Sequence, residues 1–172
     1  MRRYKHIDGV RVTADFSREN DLDFRYRLEI ALKAHLVMGV TACVVMQNPS
    51  YASVDMADKS IQFMEKVVFQ KGFPELPPIR RLIVVNQFAR ILTVGFKGSL
   101  EAIGSKNNAT IESALKESEV VILAWGSGNR FEERKAFVVG LLRQMVGKQL
   151  FKTTMHPARG RYAGFIQPLS TQ

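Results

Sequence analysis

Hydrophobic and polar positions divide the chain into segments of different period. Phe24 to Leu32 (Phe-Arg-Tyr-Arg-Leu-Glu-Ile-Ala-Leu) carries apolar residues at every second position, and Val10 to Ser17 alternates in part. Such alternation predicts two strands with one face in water, joined by the polar, turn-like stretch Arg18 to Asp23. Three other runs are apolar without alternating: Val44-Val45-Met46, opened by Thr41-Ala42-Cys43; Ile79 to Asn86; and Val120 to Gly126. They predict strands covered on both faces. The first run stops abruptly at Gln47-Asn48-Pro49-Ser50, because Pro49 removes an amide donor and biases Asn48 toward extended backbone. Leu28-Glu29-Ile30 and Val44-Val45-Met46 are expected to pair as antiparallel neighbours across the loop Lys33 to Gly39.

Helical spacing appears between these runs. Met56 to Gln70 sets Ile61, Met64, Val67 and Val68 on one face, with Asp55 or Asp58 as its cap and Gly72, Pro74, Pro77 and Pro78 ending it. A second helix starts at Asn107 or Asn108 and runs through Leu115. A third covers Phe131 to Val146, with Phe137, Val138, Leu141, Leu142 and Met145 inward. Gly95 to Gly104 reads as a glycine-rich loop, Gln149 to Thr154 as a short fourth strand, and Met155 to Tyr162 as a basic loop. Apolar strands separated by helices predict an α/β domain of three layers, α/β/α, around a mostly parallel four-stranded central sheet. Residues 1–35 form an antiparallel addition at its amino-terminal edge, and residues 36–172 form the core. In such a sheet the polar strand ends Gln47-Asn48, Asn86, Trp125 and His156 share one crevice, where ligands of open α/β sheets are held.

Composition narrows the partners. The 172 residues include 46% apolar and 24% charged, with a net charge of +9 and a pI near 9.9. That excess favours a polyanion, nucleic acid ahead of membrane lipid, although a merely solvated basic surface fits the same charge. Cys43 is the only cysteine and lies in an apolar run, so disulfides, zinc–cysteine sites and iron–sulfur clusters are unsupported. Carboxylates are sparse near the crevice, Asp55 and Asp58 alone, which argues against a two-metal site. No cofactor is expected, no membrane span is expected, and a cytoplasmic location is.

Each candidate residue carries a plain alternative. His156, followed by Pro157 and flanked by Arg159 and Arg161, has the setting of a neutral imidazole that donates to a developing oxyanion. Asn48 positions a water through its amide oxygen, or simply forms the turn before Pro49. Asn86 reads a nucleobase edge or caps its own turn. Trp125 stacks on a ligand or fills the core edge. Arg159, Arg161 and Lys152 grip phosphates or form a solvated basic face. His6 and His35 lack comparable surroundings and read as incidental. Neither a dinucleotide fingerprint, nor a Walker loop, nor a nucleophile elbow is present.

Taken in order, Arg25-Tyr26-Arg27-Leu28, Met46-Gln47-Asn48-Pro49-Ser50, Ala57-Asp58-Lys59-Ser60, Asn86-Gln87-Phe88-Ala89, Asn107-Asn108, Ala124-Trp125-Gly126 and His156-Pro157 resemble the motifs of an uncharacterised family, domain of unknown function sixteen forty-three. The same order is similar, more distantly, to the uracil-DNA glycosylase superfamily. That resemblance implies its fold and N-glycosidic hydrolysis of a base flipped out of DNA, DNA ahead of RNA. It gives Asn48 the water, Gln47 a backbone contact to the base, Asn86 the base edge and His156 the leaving-group anion; Ser50 falls where some members restrict the pocket with an aromatic residue. Asn48 stands where the most active branch has aspartate, and Ala158 stands where a serine helps hold a phosphate. Arg159 or Arg161 would fill the gap left by the flipped nucleotide. A non-catalytic DNA-binding module on the same scaffold, or a hydrolase or transferase acting on a free nucleoside or nucleotide, are the competing expectations.

Overall fold

The computed structural model describes residues 4–34 and 38–170. His35 and part of the expected loop from Lys33 to Gly39 lie outside them. Among the described residues, seven strands form one mixed sheet in the order β1-β2-β4-β3-β5-β6-β7, with three α-helices. In chain order these are β1 (Val10–Glu19), β2 (Leu22–Leu32), β3 (Val40–Met46), α1 (Lys59–Phe69), β4 (Ile79–Asn86), α2 (Asn107–Lys116), β5 (Val120–Leu123), α3 (Glu132–Arg143), β6 (Gln149–Thr153) and β7 (Ile166–Pro168).

The expected sheet is a mostly parallel, four-stranded central one with an antiparallel amino-terminal edge; the sheet found is a mixed one of seven strands. β4, β3, β5 and β6 run parallel to one another, while β1, β2 and β7 add antiparallel pairs at the two edges. β7 went unread because three residues, one of them proline, carry no usable period. The expected pairing of Leu28-Glu29-Ile30 with β3 is wrong: Leu28, Glu29 and Ile30 lie opposite Val84, Ile83 and Leu82 of β4, antiparallel. Pattern alone could not choose, since β3 and β4 each carry a continuous apolar run, Ala42 to Met46 and Leu82 to Val85. β3 takes the centre, with β4 on one side and β5 on the other.

Alternate residues of the central strands feed two cores. Ala42, Val44, Leu82, Val84 and Ile122 pack against Ile61, Met64 and Val67 of α1. Cys43, Val45, Ile83, Val85 and Val121 pack against Ile111, Ala114 and Leu115 of α2 and Val138 and Leu142 of α3. Burial pushes the Cys43 thiol up to about 12, so it remains a neutral core group. α1 begins at Lys59 because Asp58 caps it: its carboxylate accepts from the Ile61 amide at 2.9 Å.

β1 and β2 turn through Asn20 and Asp21, both at positive φ, the conformation a two-residue hairpin loop requires. The register then breaks. Asp15 opposes Arg27 but Phe16 opposes Arg25, which leaves Tyr26 as an extra residue on β2. A bulge re-aims the side chains beyond it. Arg27 stays with Glu29, Arg81 and Glu117, whereas Arg25 turns to the other face, toward Ala52 and Asp58.

The tail after β6 is anchored. Pro157–Arg159 form a turn of 3-10 helix, and Tyr162 stacks on Phe63 of α1 at 4.8 Å, with Phe165 edge-on to the same ring. A methyl group on Gly160 would meet the Phe63 ring at 2.3 Å, so only glycine lets the tail lie this close.

Candidate functional site

Beyond the carboxyl ends of β3, β5 and β6 the chain encloses a cleft of about 640 Å³, a size that suits a nucleotide-sized ligand. Gln47, Asn48, Ser50, Trp125, His156 and Arg159 line it, so six of the nine candidate residues come together. Asn86, Lys152 and Arg161 do not line it. Asn86 is buried at the end of β4, its carbonyl accepts from Asn107 Nδ2 at 3.0 Å, and its own Nδ2 has no partner. Asn86 is the register partner of Met46, which does line the cleft, but its own side chain is buried behind it. Lys152 and Arg161 are exposed elsewhere on the surface.

A relay of carboxamides orients the opening loop. Asn129 Nδ2 donates to Gln87 Oε1 at 2.7 Å and to Gln47 Oε1 at 3.2 Å. Gln47 Nε2 in turn donates to Asn48 Oδ1 at 3.2 Å, and Asn48 Nδ2 donates to the Leu92 carbonyl at 2.8 Å. A carbonyl only accepts, so the final bond fixes which way every amide in the chain points. Asn48 Oδ1 accepts this one bond among the described residues, and a carboxamide oxygen has capacity for a second. Behind the relay, Asn107 and Arg134 hold the Gln87 carbonyl at 3.1 and 2.8 Å.

His156 is held as a neutral donor. Its Nδ1 accepts from the Ala158 amide at 3.1 Å, which leaves the proton on Nε2. Burial depresses its pKa below the usual histidine value; Asp58 pulls the other way and Arg159 adds to the depression. Gly126 makes this placement possible. With φ at +84° it sits against His156, and a methyl group there would lie 2.9 Å from the His156 backbone nitrogen and Cβ. Trp125 before it packs against the core cluster that includes Val138 and Leu142 of α3, as the core-edge reading expects, and it also lines the cleft.

Several site residues were missed by sequence reasoning. Arg25 and Lys59 line the cleft; Asp58, one of the two acids expected near it, lines it as well and is the only acid to do so among the described residues. Gln87, Asn107 and Asn129 supply the relay and its support. Strict alternation set Arg25 on the same face as Arg27, and only the unpredicted bulge moves it. Asn129 follows a glycine in a turn after an apolar strand, a position that marks a loop but not a hydrogen-bonding partner. His6 is not incidental to the architecture: Nδ1 pairs with the fully buried Glu65 of α1 and Nε2 contacts the Ser53 carbonyl at 2.8 Å. Among the described residues no group of three or more His, Cys, Asp or Glu side chains could hold a metal ion, and no helix is long and apolar enough to cross a membrane.

No curated protein and no solved structure matches the chain. Residues 25–158 match a family model described as Protein of unknown function (DUF1643). The matched span runs from Arg25 in the cleft wall to Ala158 beside His156, and the chain therefore belongs to the DUF1643 family.

Proposed function

We propose that the cleft hydrolyses the N-glycosidic bond of a nucleotide unit, in the manner of a DNA glycosylase acting on a flipped base. The observation that carries this reading is the pairing of two oriented groups in one cleft: Asn48 Oδ1, with capacity to accept a second bond, and His156 Nε2–H, a neutral donor. An amide oxygen orients water without removing its proton. That suits a bond that breaks early, leaving a cation-like sugar carbon for water to meet. The Nε2–H is placed to stabilise negative charge growing on the departing base.

The order of motifs, similar to that of the uracil-DNA glycosylase superfamily, supports the same reading, as does a core of parallel strands with helices on both faces. In this reading Trp125 stacks on the base and Arg159 holds a strand phosphate. Gln47 and Ser50 shape the pocket, and the base-edge role expected of Asn86 passes to groups that line the cleft.

The test uses oligonucleotides carrying uracil, hypoxanthine, mismatched thymine or hypermodified bases, followed by alkali. Strand breaks at one modified position, absent from the His156→Ala and Asn48→Ala proteins, are the expected result. Tight, salt-dependent binding with no break on any substrate would leave a non-catalytic DNA-binding module in its place.

A further inference from the structure

Arg25 has an incomplete set of partners. The residue is 1% exposed and lines the cleft, and its Nη1 donates to the Ala52 carbonyl at 2.9 Å. Its Nε has no partner, and among the described residues no carboxylate lies within ion-pair distance. Burial lowers its pKa to about 10, which leaves it charged at neutral pH, and Asp58 opposes that shift through its field alone. Asp58 is itself engaged as the cap of α1. A guanidinium buried without a counter-anion is costly, and a ligand anion would remove the penalty.

The wall beside it is built for the same charge. Lys59 and Ser60, the first residues of α1, line the cleft. Their amides have no partner within the helix, and the positive end of the helix dipole lies there. Among the described residues, the cleft lining holds the cations Arg25, Lys59 and Arg159 and a single carboxylate, Asp58.

We propose that Arg25 and the first turn of α1 form an oxyanion subsite in the cleft that takes a phosphate group of the nucleotide unit. The proposal rests on the nucleotide reading of the cleft and adds the part of the substrate recognised there. Arg25 is buried, so the phosphate enters with the bound unit instead of lying along the outer surface. A phosphomonoester of a free nucleotide and a phosphodiester within a strand share this chemistry.

Trp125 is the single tryptophan of the chain and lines the cleft, so its fluorescence reports occupancy. The full chain is titrated with a pyrimidine nucleoside, the matching nucleoside monophosphate and a short single-stranded oligonucleotide. A phosphate-bearing ligand is expected to bind roughly tenfold tighter than the nucleoside, the scale of one charge-assisted contact. An advantage in the monophosphate arm identifies a free nucleotide, and one confined to the oligonucleotide identifies a strand. Arg25→Met loses the advantage, whereas Arg143→Met, at the exposed end of α3 and outside the cleft, keeps it. Equal binding of nucleoside and phosphate-bearing ligands, or an advantage that survives Arg25→Met, overturns the subsite. Should Arg25→Met fold poorly, the unaltered protein decides: inorganic phosphate must raise its melting temperature above that in chloride of equal ionic strength, and no rise rejects the proposal. None of these readouts requires base release, so the subsite and the reaction stand or fall separately.

Discussion

Asn48 is fixed at the scale of one bond. Its Nδ2 donates to the Leu92 carbonyl at 2.8 Å, and aspartate has no hydrogen to offer there. Asn48→Asp therefore sets two acceptors against each other, and a loss of about 1–3 kcal/mol in chemical unfolding is expected; unchanged stability would show that the relay does not orient the loop. The two described histidines with shifted pKa values act in opposite directions. Burial depresses the His156 pKa, so its contribution to stability is present above about pH 6.5 and is lost as pH falls through the lowered value. At His6 burial also lowers the pKa, but the bonds to Glu65 and the Ser53 carbonyl outweigh it and the net shift is upward. Its contribution is full below about pH 6.5 and is lost as pH rises through the raised value. Thermal melts across both sides of that pH should show two limbs. His156→Asn flattens the acid limb and His6→Gln the other.

Individual elements deliver those residues. Gly126 turns the chain after β5 so that His156 can approach, and Gly126→Ala adds both a strained φ and a 2.9 Å clash. A cost of about 1–3 kcal/mol is expected, together with a larger loss of turnover than of ligand affinity, since the His156 donor moves first. Asp58→Ala removes the cap of α1 and costs about 1 kcal/mol, while Asp58→Asn keeps an acceptor and most of that stability. Equal loss in both variants would mean that the cap bond contributes little.

Element existence was legible in the sequence because β3, β4 and β5 each contain a continuous apolar run, and α1 and α3 show helical spacing. Partners were not: the exchange of β3 for β4 beside β2 depends on which of two strands with apolar centres lies closer, a choice made by tertiary packing. The bulge at Tyr26 was hidden for a different reason. Alternation on either side of it looks regular, and only the partner strand reveals the extra residue. The site followed the same division. Residues at strand ends, such as Asn48, Trp125 and His156, were readable from position, while Arg25, Asn129 and Gln87 depend on contacts between segments distant in sequence.

At the scale of the whole molecule, the seven-stranded sheet of the described residues carries the cleft, and the chain has a net charge of +9. Binding to single-stranded nucleic acid is expected to weaken with salt, and Arg159→Gln should lower the slope of log affinity against log salt by about 0.7, one phosphate contact. An unchanged slope would place Arg159 away from the strand. The central claim is that the two oriented groups of the cleft break a glycosidic bond. Chromatographic detection of free base, from modified oligonucleotides and from nucleoside monophosphates, tests it most directly. The account predicts base release by the unaltered protein, and loss of that release in Asn48→Ala and His156→Ala proteins that still bind the substrate. Binding without free base from any substrate, or release undiminished in both variants, would contradict it.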